Sequence, residues 1–419
     1  MVDCSLFLEN KMAEPLPTGF GAVASSRAYF PQESMLAVET RKRKLFIGLP
    51  KESSRQENRL GLTPEAVLHL VSAGHEVMLE AGAGEPSKYA DHAYSEAGAQ
   101  IAHSPDEVYK ADIILKVAPP RMDEIELMRP GQTLISALQM GTMTPEFIAA
   151  LSRKKINALA FELIKDPSGA RPVVRAMSEI AGSTVMLVAA EYLARSNEGK
   201  GIILGGITGV PPSQVVILGA GTVAEYAARA ALGLGAEVKV FDNHLYKLRR
   251  LKHNLGAQLY TSTLDTFALS QQIRRADVVI GALAVEDGRI PFMVPDNLVA
   301  SMAAGSVIID VSIDQGGCFE TSEMTSHDRP VFRKYEVVHY CVPNIASRVP
   351  RTATNALSNI FTPILQEISQ QGGINEALFT NEHFRSGVYI YKGSLTNAAI
   401  AKKFNLRYKE LGLLIAVRN

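Results

Sequence analysis

The chain has 419 residues, of which 47% are hydrophobic and 21% charged, and its formal net charge is zero. That composition is ordinary for a globular protein of two or three domains, and the charge balance argues against nucleic acid or an anionic membrane as partner. No run of eighteen apolar residues suggests a membrane span, and the widely spaced Cys4, Cys318 and Cys341 suggest neither a disulfide framework nor a zinc site, so a reducing, cytoplasmic compartment is expected.

Residues 1–43 carry Pro, Ser and Gly without periodicity, and their basic cluster Arg41-Lys42-Arg43 follows no apolar signal core. They are expected to form an N-terminal extension, either a loose arm or a segment packed on a neighbouring subunit. Structure is expected to begin with a strand at Lys44–Pro50, then a polar loop, then a helix opened by Thr63-Pro64-Glu65: an N-cap, a proline at the first helical position and an acid in the first turn. Strands are expected at His75–Glu80, Ala111–Val117, Gln132–Leu138 and Ile156–Phe161, with Thr144-Pro145-Glu146 opening another helix. Strands alternating with helices predict a parallel α/β domain. Ser178 to about Arg195 reads as a long apolar helix that bridges into a second domain.

In that second domain Val215-Val-Ile-Leu218 reads as a buried strand, Gly219-Ala-Gly221 as a turn, and the Ala-rich stretch behind it as a helix. Gly-x-Gly-x-x-Ala alone is equally a mere tight turn. Here a second strand, Glu237–Phe241, follows and ends at Asp242, where an acidic side chain can accept from an adenosine ribose and repel a 2′-phosphate. The set predicts a Rossmann-type dinucleotide site that prefers NAD. A helix at Tyr246–Leu255 and strands at Asp277–Ile280, Ser306–Val311 and Val337–Val342 complete the domain. A second long helix, from Thr352 to about Gln371, returns the chain to the first domain, and two crossovers place a cleft between the halves. The expected boundaries are 1–43 for the extension, 44–175 with 352–419 for a discontinuous parallel α/β substrate domain, and 176–351 for the nucleotide domain.

Several stretches in order resemble the alanine dehydrogenase/transhydrogenase subunit family. They are Gly48-Leu-Pro-Lys-Glu52 with Asn58-Arg59 and Leu62-Thr-Pro64, Ala81-Gly-Ala-Gly84, Ile114-Leu-Lys-Val117, Met177-Ser-Glu-Ile-Ala-Gly182, the Gly219 turn, Asp310 to Glu320, Asn344 and Val349-Pro-Arg-Thr352. Met-Ser-Glu-x-Ala-Gly and Ile-Asp-Gln-Gly-Gly lean toward the alanine dehydrogenase side. The resemblance implies NAD-linked deamination of L-alanine, or a related small amino or oxo acid, and a homo-oligomer, hexamer or dimer. It implies that Arg59 clamps the substrate carboxylate, that Asp314 assists proton handling or holds an amine, and that Ser178, Gly219, Gly221, Asp242 and Asn344 seat the cofactor. The bland roles are a surface arginine, a turn cap and a helix N-cap.

Two positions depart from the family pattern. Lys-Val-Lys-Glu-Pro reads Lys116-Val117-Ala118-Pro119-Pro120 here, so the substrate lysine is matched by Ala118, and the catalytic histidine is matched by Gln139. Lys116, on the same strand face as Ala118, is expected to reach toward the substrate. An amide hydrogen-bonds but does not exchange protons near neutral pH. The alternatives are therefore a transhydrogenase NAD-binding component and a non-catalytic NAD-binding homologue.

Overall fold

The computed structural model describes residues 42–416 except 55, 141–142 and 286–292; apart from Lys42 and Arg43, the expected extension lies outside the described residues. The strands, in chain order, are β1 (Phe46–Leu49), β2 (Glu76–Glu80), β3 (Gln100–Ala102), β4 (Ile113–Leu115), β5 (Thr133–Ser136), β6 (Asn157–Ala160), β7 (Gln214–Leu218), β8 (Glu237–Phe241), β9 (Tyr260–Ser262), β10 (Val278–Gly281), β11 (Val307–Asp310), β12 (Val331–Lys334), β13 (Val337–Tyr340), β14 (Val388–Tyr391) and β15 (Ser394–Leu395). They form two sheets. The first runs β15-β14-β6-β5-β4-β1-β2-β3 and the second β12-β13-β11-β10-β7-β8-β9.

Each sheet contains the doubly wound order 3-2-1-4-5 counted from its own first strand, and among the described strands antiparallel pairs occur only toward one edge of each sheet, at β14–β6, β14–β15 and β12–β13. Strand order therefore reverses between β1 and β4 in the first sheet and between β7 and β10 in the second. Crevices open at the carboxyl ends of strands at such reversals. In the second sheet Val215 pairs Val278 on one side and Val238 on the other. Strands flanked in this way are covered on both faces, which is why they read as unbroken apolar runs. Val215, Val216, Ile217 and Leu218 are all fully buried, each worth roughly 1.5–3 kcal/mol of removed apolar surface.

Four helices frame the crevices: α1 (Pro64–Ser72), α2 (Pro172–Leu193), α3 (Thr222–Gly233) and α4 (Pro350–Gln370). α1 starts as its sequence dictates, with the Thr63 hydroxyl accepting from the Ala66 N–H at 3.3 Å. α2 begins six residues before the expected Ser178, because Pro172 supplies a first-turn residue with no N–H to satisfy. By length and composition alone α2 is apolar enough to cross a membrane. Here Val185, Val188, Ala189 and Leu193 belong to the core of the second sheet. At Gly182 a Cβ would stand 2.4 Å from the Val223 carbonyl oxygen, so glycine lets α2 lie directly on α3. Residues of α4 (Leu357, Phe361, Leu365 and Ile368) are buried in the core of the first sheet.

Candidate active site at the two crevices

The turn after β7 meets the chain leaving β10, at the reversal of the second sheet. Gly219 has φ +108°, and a Cβ there would stand 2.4 Å from the Ala282 carbonyl oxygen, so the position is glycine for two reasons. Gly221 is different. Its φ is −82° and none of the described residues lies within 4 Å of where its Cβ would be. It is the N-cap of α3 and offers no side-chain acceptor, so the first N–H groups of a twelve-residue helix are left without a side-chain cap. That is a fitting place for a pyrophosphate.

Asp242 sits at the end of β8, where a ribose acceptor is expected, but is turned onto the turn itself. Its Oδ2 accepts the Ala220 N–H at 2.8 Å, and its Oδ1 meets both the His244 N–H and His244 Nδ1 at 2.8 Å. A carboxylate has about four lone-pair directions, so three are engaged and one is left for a ligand.

The loop after β11 carries Asp314. Its anchor is Asp310, which the sequence reading did not single out. Asp310 is fully buried and accepts from the Ser312 N–H at 3.1 Å, the Cys318 N–H at 2.8 Å and the Ser322 hydroxyl at 2.7 Å. The Ser312 hydroxyl in turn donates to the Leu283 carbonyl at 2.6 Å, which ties this loop to the one leaving β10. Asp314 itself remains solvent-accessible. The protein around it still pushes its carboxyl above the usual range by desolvation, partly countered by backbone N–H groups of Asp314 and Gln315.

At the reversal of the first sheet, the loop after β1 carries Glu52, Glu57 and Arg59. Arg59 Nε and Nη2 donate to the two Glu57 oxygens at 2.7 and 2.6 Å, and Nη1 lies 3.2 Å from the Met177 sulfur. Arg59 thus touches α2 at the residue before Ser178, which is half-buried. Asn344, in the left-handed region with φ 60°, donates its amide to Glu57 Oε2 at 2.9 Å.

Lys116 departs from expectation. Its side chain is wholly buried, and its ammonium has three neighbours: Glu124 Oε1 at 3.1 Å, the Lys51 carbonyl at 3.2 Å and Glu52 Oε2 at 3.5 Å. An ammonium has three donors, so the group expected to reach for substrate instead holds the loops after β1 and β4 together. Glu52 also accepts the Val117 and Ala118 N–H groups at 2.6 and 3.3 Å. Burial pushes its carboxyl up to about 7, against the opposing pull of Lys116.

Gln139, at φ 48°, follows β5. The Leu138 N–H donates to Glu162 at 2.6 Å, and burial raises the Glu162 carboxyl. A cavity of about 230 Å³ is lined by Pro119, Pro120, Leu138, Met143 and Phe147 among others, next in sequence to Ala118 and Gln139, which do not line it, and not by the Gly219 turn. The sequence reading missed Glu52, Glu57, Glu124, Asp310 and Glu162. Glu52 and Asp310 stand inside quoted motifs, but only the fold brings acids beside these cations and N–H groups.

Comparison with known proteins accounts for both halves. Residues 48–181 match the alanine dehydrogenase/PNT N-terminal domain, and residues 185–398 match the alanine dehydrogenase/PNT C-terminal domain. The chain belongs to the alanine dehydrogenase/PNT family. It is 37% identical to the alanine dehydrogenase of Mycolicibacterium smegmatis over 373 residues, 89% of this chain and 100% of that protein. Alanine dehydrogenase 2 of Staphylococcus aureus is 37% identical over 366 residues, 87% of this chain and 98% of its own length. Among solved structures, an L-alanine dehydrogenase superposes with a TM-score of 0.81 at 38% identity, covering 86% of this chain and 99% of that one. A transhydrogenase from Sinorhizobium meliloti, at TM-score 0.73 and 24% identity over 84% of this chain and 99% of its own, shares the fold. The two-domain α/β architecture with a Rossmann-type half is thus that of alanine dehydrogenase.

Proposed function

We propose that the chain is an NAD-dependent oxidoreductase of the alanine dehydrogenase type, interconverting a small amino acid with its 2-oxo acid and ammonium. The balanced reaction for the simplest substrate is L-alanine + NAD⁺ + water to pyruvate + ammonium + NADH + H⁺. The observation that carries this reading is the presence, in one family member, of a Gly221 turn with room at its Cβ position and an arginine whose Nη1/Nη2 edge meets only the weak Met177 sulfur among the described residues.

Gly219, Gly221 and the start of α3 receive the pyrophosphate through backbone N–H groups. Asp242 offers its remaining lone pair to a ribose hydroxyl, and Ser178 and Asn344 flank the nicotinamide end. When bound, NAD supplies the hydride acceptor. Arg59 holds the substrate carboxylate by its Nη1/Nη2 edge, since Glu57 already occupies the other edge. Lys116 contributes by fixing the loops rather than by touching substrate. Asp314, accessible and with a raised carboxyl pKa, is the group that takes and returns protons. Gln139 hydrogen-bonds where the family pattern has a histidine, and Ala118 leaves the place of the family's second lysine without charge. We also read the chain as a homo-oligomer, hexamer or dimer; light scattering that gives the monomer mass overturns that part.

The test is NADH oxidation with pyruvate plus ammonium and with a panel of other 2-oxo acids. Turnover with at least one, lost in Arg59→Met with NADH affinity retained, supports the reading. A second reading, a non-catalytic NAD-binding homologue, is favoured by Gln139 and by the full engagement of Lys116. It predicts NADH binding with no turnover of any oxo acid.

A further inference from the structure

Arg59 has two edges that can grip a carboxylate. Glu57 takes the Nε/Nη2 edge at 2.7 and 2.6 Å. On the other edge the described residues offer only the Met177 sulfur, 3.2 Å from Nη1 and a weak acceptor. So Glu57 does not neutralise the arginine at random. It fixes the plane of the guanidinium and decides which edge is presented.

Glu57 is itself held from several sides. Oε1 also accepts the Arg59 backbone N–H at 3.0 Å, and Oε2 accepts the Asn344 amide at 2.9 Å. The Glu57 side chain is 3% exposed. Asn344 follows β13 and so belongs to the nucleotide half, whereas Glu57 and Arg59 follow β1 in the substrate half. The same junction carries further ties: the Asn58 N–H donates to the Ser347 hydroxyl at 2.9 Å and its side-chain amide to the Ser347 carbonyl at 3.5 Å, while the His327 N–H donates to the Gln56 side chain at 2.6 Å and the Gln56 amide to Asp328 at 3.4 Å. Those ties hold the loop. Only the Asn344 tie ends on the carboxylate that orients Arg59.

We propose that Asn344–Glu57–Arg59 is a positioning relay through which the placement of the nucleotide half sets the affinity of the substrate half for a carboxylate. It rests on the reading of Arg59 as the substrate clamp. A shift of the nucleotide half moves Asn344, frees or re-aims Glu57, and turns the guanidinium plane. A planar fork tolerates little rotation before one of two parallel bonds is lost. Cofactor and carboxylate then favour one another's binding, and the coupling is reciprocal. Asn344 in its left-handed conformation is suited to this post, because asparagine takes that conformation at small cost and carries a donor on a short, stiff arm.

The test is calorimetric binding of oxamate, an unreactive analogue of a small 2-oxo acid, to the full chain with and without NADH. Wild type is expected to bind oxamate at least fivefold more tightly when NADH is present. Asn344→Ala leaves Arg59 on Glu57 and cuts the tie; because Asn344 also flanks the nicotinamide end, the variant is measured at NADH concentrations that its own NADH titration shows to be saturating, and there the ratio falls toward one. Glu57→Gln places an amide against the guanidinium, so oxamate affinity drops at least tenfold in both conditions. A part that is merely structural shifts the melting temperature and leaves the ratio alone. A ratio in Asn344→Ala equal to wild type within a factor of two overturns the relay, as does unchanged oxamate affinity in Glu57→Gln. No oxamate binding by wild type with NADH present overturns the Arg59 clamp itself, a different failure.

Discussion

Gly221→Ala separates folding from cofactor binding. Among the described residues the new methyl meets nothing within 4 Å, and φ −82°, ψ −168° is extended backbone open to alanine. Two small terms oppose each other in stability. Alanine is a poorer N-cap than glycine, costing about 0.5–1 kcal/mol. Alanine also restricts the unfolded chain, contributing about 0.4–1 kcal/mol. Unfolding free energy is therefore expected to stay within about 0.5 kcal/mol of wild type. The methyl does enter the space through which a pyrophosphate approaches the N–H groups of α3. Losing one hydrogen bond to a charged group is worth roughly 1.5–3 kcal/mol, which is about ten- to a hundredfold or more in Kd. Denaturant unfolding and titration of NADH fluorescence measure the two quantities on one preparation. A folded Gly221→Ala protein that binds NADH within threefold of wild type refutes the reasoning. Gly219→Ala is the contrast: at φ +108° with a carbonyl oxygen 2.4 Å away, it is expected to cost at least about 2 kcal/mol in the same unfolding assay.

Three more expectations follow from the buried charges and the altered positions. Lys116→Met leaves Glu52 and Glu124 without their counter-charge and should destabilise by about 3–5 kcal/mol at pH 8, less at pH 5 where Glu52 is protonated; a loss under about 1 kcal/mol at pH 8 contradicts the structural role. Glu52 has a folded pKa raised to about 7 from 4.5, so between those values the folded state keeps a proton that the unfolded state has released. Its contribution to stability is present below that window and is lost as pH rises through it, by up to about 1.4 kcal/mol per pH unit. Glu52→Gln cannot titrate, so its stability relative to wild type should rise between pH 5 and 8, and parallel curves from urea unfolding contradict this. Restoring the family pattern with Gln139→His and Ala118→Lys should raise kcat for pyruvate amination about a hundred- to ten-thousand-fold if proton transfer limits the native chain; an unchanged kcat assigns that step elsewhere.

The second sheet was the most legible part of the chain. Its strands are buried on both faces, so Val215–Leu218, Val278–Ile280 and Val307–Ile309 stand out as apolar runs, and Gly219 announces itself beside them. What escaped were short edge strands such as β3, β9 and β12, whose exposed faces interrupt the pattern, and the β14–β15 pair at the far edge of the first sheet. The early start of α2 is signalled by Pro172, which suits a first helical turn as well as Ser178 suits a cap. In the site, Arg59 and Lys116 were both visible as cations. Which of them is free depends on acids that the fold delivers. Glu57 is two residues from Arg59, yet its grip involves Asn344, 287 positions away. Glu124 reaches Lys116 from the helix Met122–Leu127. Spacing along a strand predicts the face of a side chain and says nothing about who waits there.

The most direct measurement follows the hydride. The chain is incubated with NADH deuterated at the transferable C4 position, ammonium and a 2-oxo acid, and the product is read by mass spectrometry. An amino acid carrying one deuterium at Cα is expected, formed by wild type and absent with Arg59→Met. No deuterated amino acid from any oxo acid in the panel, or deuterium delivered to a 2-hydroxy acid instead, contradicts it.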